Sequence, residues 1–208
     1  MKTAPVLEFR GELLSLTEIE AHCWNQLKAG LHYKHALHHP VIANGNEQGV
    51  NMRVVVLRYV DEVQKNVGCH TDTRSGKWNE LQVDPALSWL FYDRDQRQQI
   101  RLYGTASLHQ FDDTAEAAWE KSPLHCRRIY MGNDAPSTEV DYPSNGLPQA
   151  LKERNPTTEE SREGRPRFGI IRCQIHRMEW LWLHHEGHRR AGFDYREDGS
   201  FVSSWLVP

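Results

Sequence analysis

The sequence predicts a mainly β protein with small flanking helices, its strands forming an antiparallel sheet closed into a barrel. Three observations carry this. About seven short runs rich in β-branched and aromatic residues are separated by turn signals such as Glu186-Gly187 and Asp198-Gly199-Ser200. Only two or three stretches keep a helical spacing of apolar residues. Strands and helices do not alternate as the βαβ units of a parallel sheet would. The 208 residues suffice for one domain with a real core, and 1–208 reads as a single domain without internal repeats.

Composition narrows the function classes. Charged residues make up 25% and the formal net charge is −3, an ordinary surface with no electrostatic case for nucleic acid. No window approaches the roughly 18 apolar residues of a membrane span. The opening MKTAPVLEFRGELL lacks the apolar core of a signal peptide, so a cytoplasmic location is expected. Cys23, Cys69, Cys126 and Cys173 are far apart and form no CxxC, which reads as reduced, structural thiols. Of 12 histidines, His32, His35, His38 and His39 cluster, as do His184, His185 and His188. Neither group has a second ligand set at fixed spacing, so no metal is expected.

In order, residues 12–29 read as a helix. Ser15 and Glu18 offer a capping box, Leu16, Ile19, Cys23 and Leu27 form its apolar stripe, and Gly30 stops it. Val41-Ile42-Ala43 is a short apolar segment before a turn at Asn44-Gly45-Asn46. Residues 52–60 form the strongest strand pattern, with Arg53 and Arg58 on opposite faces if the strand is regular. A turn at 61–66 leads to a hairpin partner at 67–71. A short helix at 77–83 ends at Asp84-Pro85. Strands follow at 86–92 and 99–108; in the latter Ile100, Leu102 and Gly104 share one face and Gln99, Arg101 and Tyr103 the other. A helix at 112–121 is capped by Asp112 or Asp113, with Ala115, Ala118 and Trp119 inward. Residues 130–167, rich in Pro, Ser, Thr, Glu and Arg, read as a long loop, either a lid or a plain insertion. Strands at 168–175, 177–183, 189–195 and 201–206 close the chain.

The segment Thr71-Asp72-Thr73-Arg74-Ser75-Gly76-Lys77 stands out. Hydroxyls, two cations and free backbone N–H groups open onto a helix N-terminus, which suits a phosphate or other anion. An ordinary polar strand-to-helix turn has the same look. It is not a Walker A loop, since Thr71 stands where the first Gly should and Trp78 follows the Lys.

Together these pieces resemble a known family. Arg-Val-Val-Val-Leu-Arg at 53–58 is followed by the 71–77 loop and a helix ending in Asp-Pro. Then come a strand ending in Phe-Tyr, Gln-Gln-Ile-Arg-Leu-Tyr-Gly at 98–104, and a terminal Trp-Leu-Val-Pro. In that order they resemble the pyridoxamine 5′-phosphate oxidase-like, FMN-binding split-barrel family, and its uncharacterised flavin-binding branch most. Only 130–167 has no counterpart.

The resemblance implies an antiparallel split β-barrel, a homodimer with FMN in the interface clefts, and oxidoreductase chemistry on an unknown small molecule. It assigns cofactor contacts to Arg53, Val54, Val55, Val56, Leu57, Arg58, His70 and Thr71. Ser75 and Lys77 fall at phosphate positions, with Arg74 as a further candidate cation. Gln99 falls at a ring-contacting position where a donor tunes the flavin's potential. Trp180 or Trp182, and Arg189 or Arg190, match a C-terminal Trp and Arg; Trp180 and Arg190 are taken forward. It assigns no catalytic acid or base. A non-catalytic flavin-binding or redox-sensing module and a haem-binding barrel are the alternatives. Departures argue against pyridoxamine phosphate as substrate: Gly76-Lys77 replaces an Arg-Lys pair and Arg58 a lysine. Trp119, Ser122 and Cys126 lie where a Tyr, Arg and Ser bind substrate phosphate, and Arg189-Arg190-Ala191 replaces Arg-x-His.

Overall fold

The structure, a computed structural model, describes residues 6–208. Residues 1–5, the start of the stretch read for a signal peptide, lie outside the described residues. The elements are β1 (Leu7–Phe9), β2 (Glu12–Leu14), α1 (Leu16–Ala29), β3 (Val41–Asn46), β4 (Gly49–Val54), β5 (Leu57–Asp61), β6 (Asn66–Asp72), α2 (Gly76–Val83), β7 (Ala86–Asp93) and β8 (Gln98–His109). After them come α3 (Asp113–Lys121), α4 (Leu124–Arg127), α5 (Thr158–Ser161), β9 (Phe168–Trp182), β10 (Arg189–Tyr195) and β11 (Phe201–Leu206). The mainly β, antiparallel expectation holds. Among the described residues no helix is long and apolar enough to cross a membrane.

One path of antiparallel ladders runs β11-β10-β9-β8-β7-β3-β4. The 15-residue β9 forks it: its first half pairs with β6, which carries β5, and its second half pairs with β10. The two outer strands β4 and β5 are consecutive in the chain. The sheet therefore curls back on itself through Val55 and Val56, not through a ladder. Inward residues of both halves, among them Ile42, Leu57, Trp89, Phe91, Leu102 and Trp180, form the core that Trp24 and Leu27 of α1 cover. A second cluster joins Ala115 and Trp119 of α3 to Tyr130, Phe168 and Ile170.

Several boundaries differ from the sequence expectation for identifiable reasons. The helix expected from residue 12 starts at Leu16. Arg10 (φ 54°) and Gly11 (φ 88°) turn the chain, so Glu12–Leu14 pairs with Leu7–Phe9. Ser15 then caps α1 with the anticipated capping box, and Gly30 ends it. The turn expected at Asn44-Gly45-Asn46 falls at Glu47-Gln48, because Asn44 and Asn46 lie within β3 and spend their amides on Glu80. The strand expected over 52–60 is two strands. Val55 N–H donates to the Pro40 carbonyl at 2.9 Å beside the β3–β4 ladder, and pairing resumes with β6 at Leu57. Strand propensity is satisfied on both sides, but the barrel needs a corner there. The register slips again between Leu57 and Tyr59, which places Arg58 in a bulge.

The two strands expected at 168–175 and 177–183 are one. The polar interruption at His176 is a bulge: Tyr103 pairs with Arg177 and Gly104 with Ile175. Glycine is required opposite that bulge. A Cβ on Gly104 would collide with the Gln174 carbonyl oxygen and lie 2.6 Å from Cys173 Sγ. Gly104→Ala should therefore lower unfolding free energy by about 1–3 kcal/mol, read as a lower urea midpoint with unchanged slope; an unchanged midpoint would show that the bulge relaxes freely.

Between α4 and β9 the chain is irregular, broken by short helical turns at Arg128–Met131, Gln149–Leu151, α5 and Arg162–Arg167. It is tied to the 71–77 loop: Thr73 N–H donates to the Arg167 carbonyl at 2.8 Å, and Arg74 Nη1 to the Asn133 carbonyl at 3.1 Å.

Candidate functional site

The break between β4 and β5 opens a cleft of about 550 Å3, within the usual range for small-molecule sites. One wall carries Val54, Val55, Val56, Arg58, His70, Thr71 and Lys77, all expected from the sequence. The other wall, from α4 and the turn after it, supplies His125, Cys126, Ile129 and Tyr130, which the sequence reading did not assign to the cofactor.

The 71–77 loop is ordered by its own hydroxyls and ions. Thr71 Oγ1 and Ser75 Oγ are 3.2 Å apart, and Lys77 Nζ donates to Ser75 Oγ at 3.3 Å. Ser75 is buried at the N-cap of α2, and its side chain makes no cap bond there. Arg74 is spent within the loop: its Nη2 and Nε lie 2.7 and 3.0 Å from the Asp72 carboxylate. Lys77 forms no ion pair among the described residues. Burial, with some help from Arg53, pulls its ammonium below the ordinary lysine range. A desolvated, unpaired cation beside two hydroxyls and a helix N-terminus is suited to a doubly charged phosphate.

Arg53 is committed elsewhere. Its guanidinium sits 3.2 Å from Glu80 Oε2 and bonds Asn44 Oδ1 and the Asn51 carbonyl. Glu80 also accepts from Asn44, Asn46 and Asn51 at 2.8, 3.0 and 2.6 Å. Burial alone would raise its carboxyl; the three amides and Arg53 more than offset this, and the net shift is below the ordinary 4.5. A carboxylate depressed in the folded state stabilises above its unfolded pKa, and that contribution fades as pH falls through the folded value. Glu80→Gln should thus melt lower than wild type near pH 7, and lose less of its melting temperature between about pH 7 and pH 3. Parallel pH profiles for the two proteins would remove this role.

His70 faces the same cleft. Burial first, then the fields of Arg58 and Arg172, hold its imidazole down at about 4, so it is neutral at physiological pH. Leu57, expected among the contacts, is fully buried in the core, as is Trp180, whose indole Nε1 donates to Gln98 Oε1 at 3.1 Å. Trp182 is half-buried beside Phe9 and His184.

Gln99 and Arg190 lie on the outer sheet face, Gln99 on β8 and Arg190 on β10, each facing Leu181 of β9. Arg190 Nη2 is 2.6 Å from Glu179 Oε2, and the same carboxylate holds Arg101 and Arg177. Arg189 is exposed, and among the described residues it bonds only neighbouring carbonyls. His70 pairs with β9 at Ile170, whereas Gln99 and Arg190 pair with it at Leu181, near the other end of that long strand. A single chain therefore brings together the 53–58, 70–71 and 75–77 groups but leaves Gln99 and Arg190 apart from them.

The four thiols are free, and all but Cys126 are buried. Among the described residues one possible metal-holding group appears, His184, His185 and Glu186, which are chain neighbours at the surface.

Comparison with known proteins fits this geometry. Residues 21–110 match the family described as pyridoxamine 5′-phosphate oxidase, FMN-binding domain. No curated protein sequence matches the chain. A pyridoxamine 5′-phosphate oxidase-related, FMN-binding protein from Nostoc punctiforme superposes with TM-score 0.69 at 20% identity, over 95% of this chain and 100% of that one. PhzG from Burkholderia lata, in complex with tetrahydrophenazine-1-carboxylic acid, gives 0.64 at 19% identity, over 92% and 91%. A Clostridium acetobutylicum protein of the pyridoxinephosphate oxidase family, related to general stress protein 26, gives 0.51 at 12% identity, over 90% and 94%. The fold is thus the split barrel that the sequence resembles, and the matched domain is FMN-binding; haem is not favoured.

Proposed function

We propose, starting from residues 21–110 as a pyridoxamine 5′-phosphate oxidase FMN-binding domain, that the protein is a homodimeric, cytoplasmic FMN oxidoreductase acting on a small molecule. The observation that carries this reading is the cleft at the strand break, with an unpaired, desolvated Lys77 at one end and an apolar wall of valines along it. Lys77, Ser75 and Thr71 would hold the phosphate, and Val54, Val55 and Val56 would flank the ring system. When bound, FMN supplies a two-electron acceptor for a substrate hydride. The chain's part is to bind, orient and exclude water. Neutral His70 offers a hydrogen bond without a competing charge, and no side chain is assigned as acid or base.

A second copy supports the site in a way one chain does not. Within a chain Gln99 and Arg190 sit beside Leu181, near the far end of β9 from the Ile170 that pairs with His70 of the cleft. The outer face that carries them also exposes Met52, Val54, Leu90 and Tyr92, an apolar surface suited to a partner. Laid face to face, each copy would present Gln99 and Arg190 to the other's cleft. Free thiols accord with a reducing compartment.

Mass spectrometry of the ligand released from purified protein, with light scattering for the mass in solution, tests this reading. FMN at one per chain in a particle of twice the chain mass is expected. A monomer that takes up no FMN at millimolar concentration would overturn it. A dimer whose bound FMN is never reduced by any reductant metabolite would be the non-catalytic module.

A further inference from the structure

Three side chains at the end of β8 and the start of α3 form a hydrogen-bonded series that the flavin chemistry does not use. Ser107 Oγ lies 3.1 Å from His109 Nε2, and His109 Nδ1 lies 2.7 Å from Asp112 Oδ2. The strand supplies the first pair. Residues two apart share one face of β8, so the hydroxyl and the ring stand side by side. The helix supplies the third member. Asp112 is the N-cap of α3, and its other oxygen, Oδ1, accepts the Ala115 N–H at 2.9 Å. That bond fixes the carboxylate and leaves Oδ2 to the imidazole.

The direction of these bonds follows from charge. Burial alone would raise the Asp112 carboxyl; the Ala115 amide and His109 more than offset this, and the net shift is below the ordinary 3.8. An ionised carboxylate only accepts, so His109 Nδ1 carries the ring proton. Nε2 of the neutral ring is then the acceptor for the Ser107 hydroxyl. Nucleophile, base and orienting carboxylate thus stand in the order that activates a serine. Capping α3 needs Asp112 only and gives no reason for a histidine and a serine to line up behind it.

Two neighbours add what acyl transfer needs. The Ala106 N–H donates to the Pro85 carbonyl at 2.7 Å, on the β7 side of β8. Two residues along, the Leu108 N–H points the same way. It lies beyond Ala86, where the β7 ladder begins, and makes no bond among the described residues. A free amide directly after the nucleophile is a donor for a developing oxyanion. Ser107 is exposed, and Phe111, between the base and the carboxylate in the chain, is 76% exposed. Its ring offers an aryl group a face to stack on.

We infer that Ser107, His109 and Asp112 form an acyl-transfer site that hydrolyses aryl carboxylic esters. Ser107 Oγ bonds to the ester carbonyl carbon as its proton passes to His109 Nε2. The bond to the phenolate oxygen breaks, and the phenolate leaves with that proton. Water adds to the acyl-serine by the same route, which releases the carboxylic acid and restores the hydroxyl. Asp112 is a positioning residue: it holds the ring and balances the imidazolium as it forms. No electron moves to or from a flavin, so this site stands apart from the oxidoreductase reading.

Labelling of the full-length protein with paraoxon, read by peptide mass spectrometry, tests this together with initial rates on 4-nitrophenyl butyrate. A single diethylphosphoryl group on Ser107 and turnover of the ester are expected. Ser107→Ala and His109→Gln should each lower kcat at least about a hundredfold. Asp112→Asn keeps a capping oxygen, so it should melt as wild type and keep its KM while kcat falls at least about tenfold. Ser107 is exposed, so its alanine variant should fold, and unchanged melting and flavin content would show that it has. Adducts that spare Ser107, or equal turnover by wild type and His109→Gln, would overturn the site.

Discussion

Lys77→Ala is expected to weaken FMN binding by one to two orders of magnitude, about 1.4–2.8 kcal/mol. Among the described residues the ammonium has no ion-pair partner; it is already desolvated and donates to the Ser75 hydroxyl. Among the described residues it forms no ion pair, so its removal costs the charge-assisted interaction with the phosphate. Arg53→Ala should cost less directly, because Glu80 and Asn44 already hold that guanidinium. Its effect would come through slackening of the β3–β4 hairpin. Titration followed by quenching of FMN fluorescence separates the two variants. Equal losses would mean that Arg53 leaves Glu80 to reach the ligand, and no loss in either would remove the 71–77 loop from the site.

Trp180→Ala is expected to cost about 3–5 kcal/mol of folding stability without changing FMN bound per folded chain. The indole is fully buried, meets Phe9 edge-on at 5.4 Å and donates to Gln98. It packs the interior and presents nothing to a ligand. Trp182→Ala, at a half-buried ring near the sheet end, should show the opposite pattern. Chemical unfolding and flavin content measured on the same samples decide the matter. A Trp180→Ala protein of wild-type stability that lost its flavin would contradict the placement.

These two variants also mark where reading residues in order works and where it stops. Local signals were legible wherever the determinant was local: the Ser15–Glu18 capping box, the Asp84-Pro85 stop, and the alternation in β8. Residues 53–58 were legible as strand but not as corner. The break at Val55 and Val56 is set by which neighbours are available on each side, and β-branched residues satisfy either outcome. Trp180 and Trp182 were indistinguishable because a strand alternates faces and two tryptophans two apart share one; only burial separates them. The Arg53 pairing with Glu80 could not be read from the sequence because the two lie 27 residues apart.

Val56 stands in neither ladder. Val56 lines the cleft, and its amide and carbonyl make no bond among the described residues. A guest gripped through peptide atoms is indifferent to the side chain they carry. Apolar exchanges of similar bulk along that stretch would therefore leave the grip intact, and distant chains could keep a common guest there while sharing few letters.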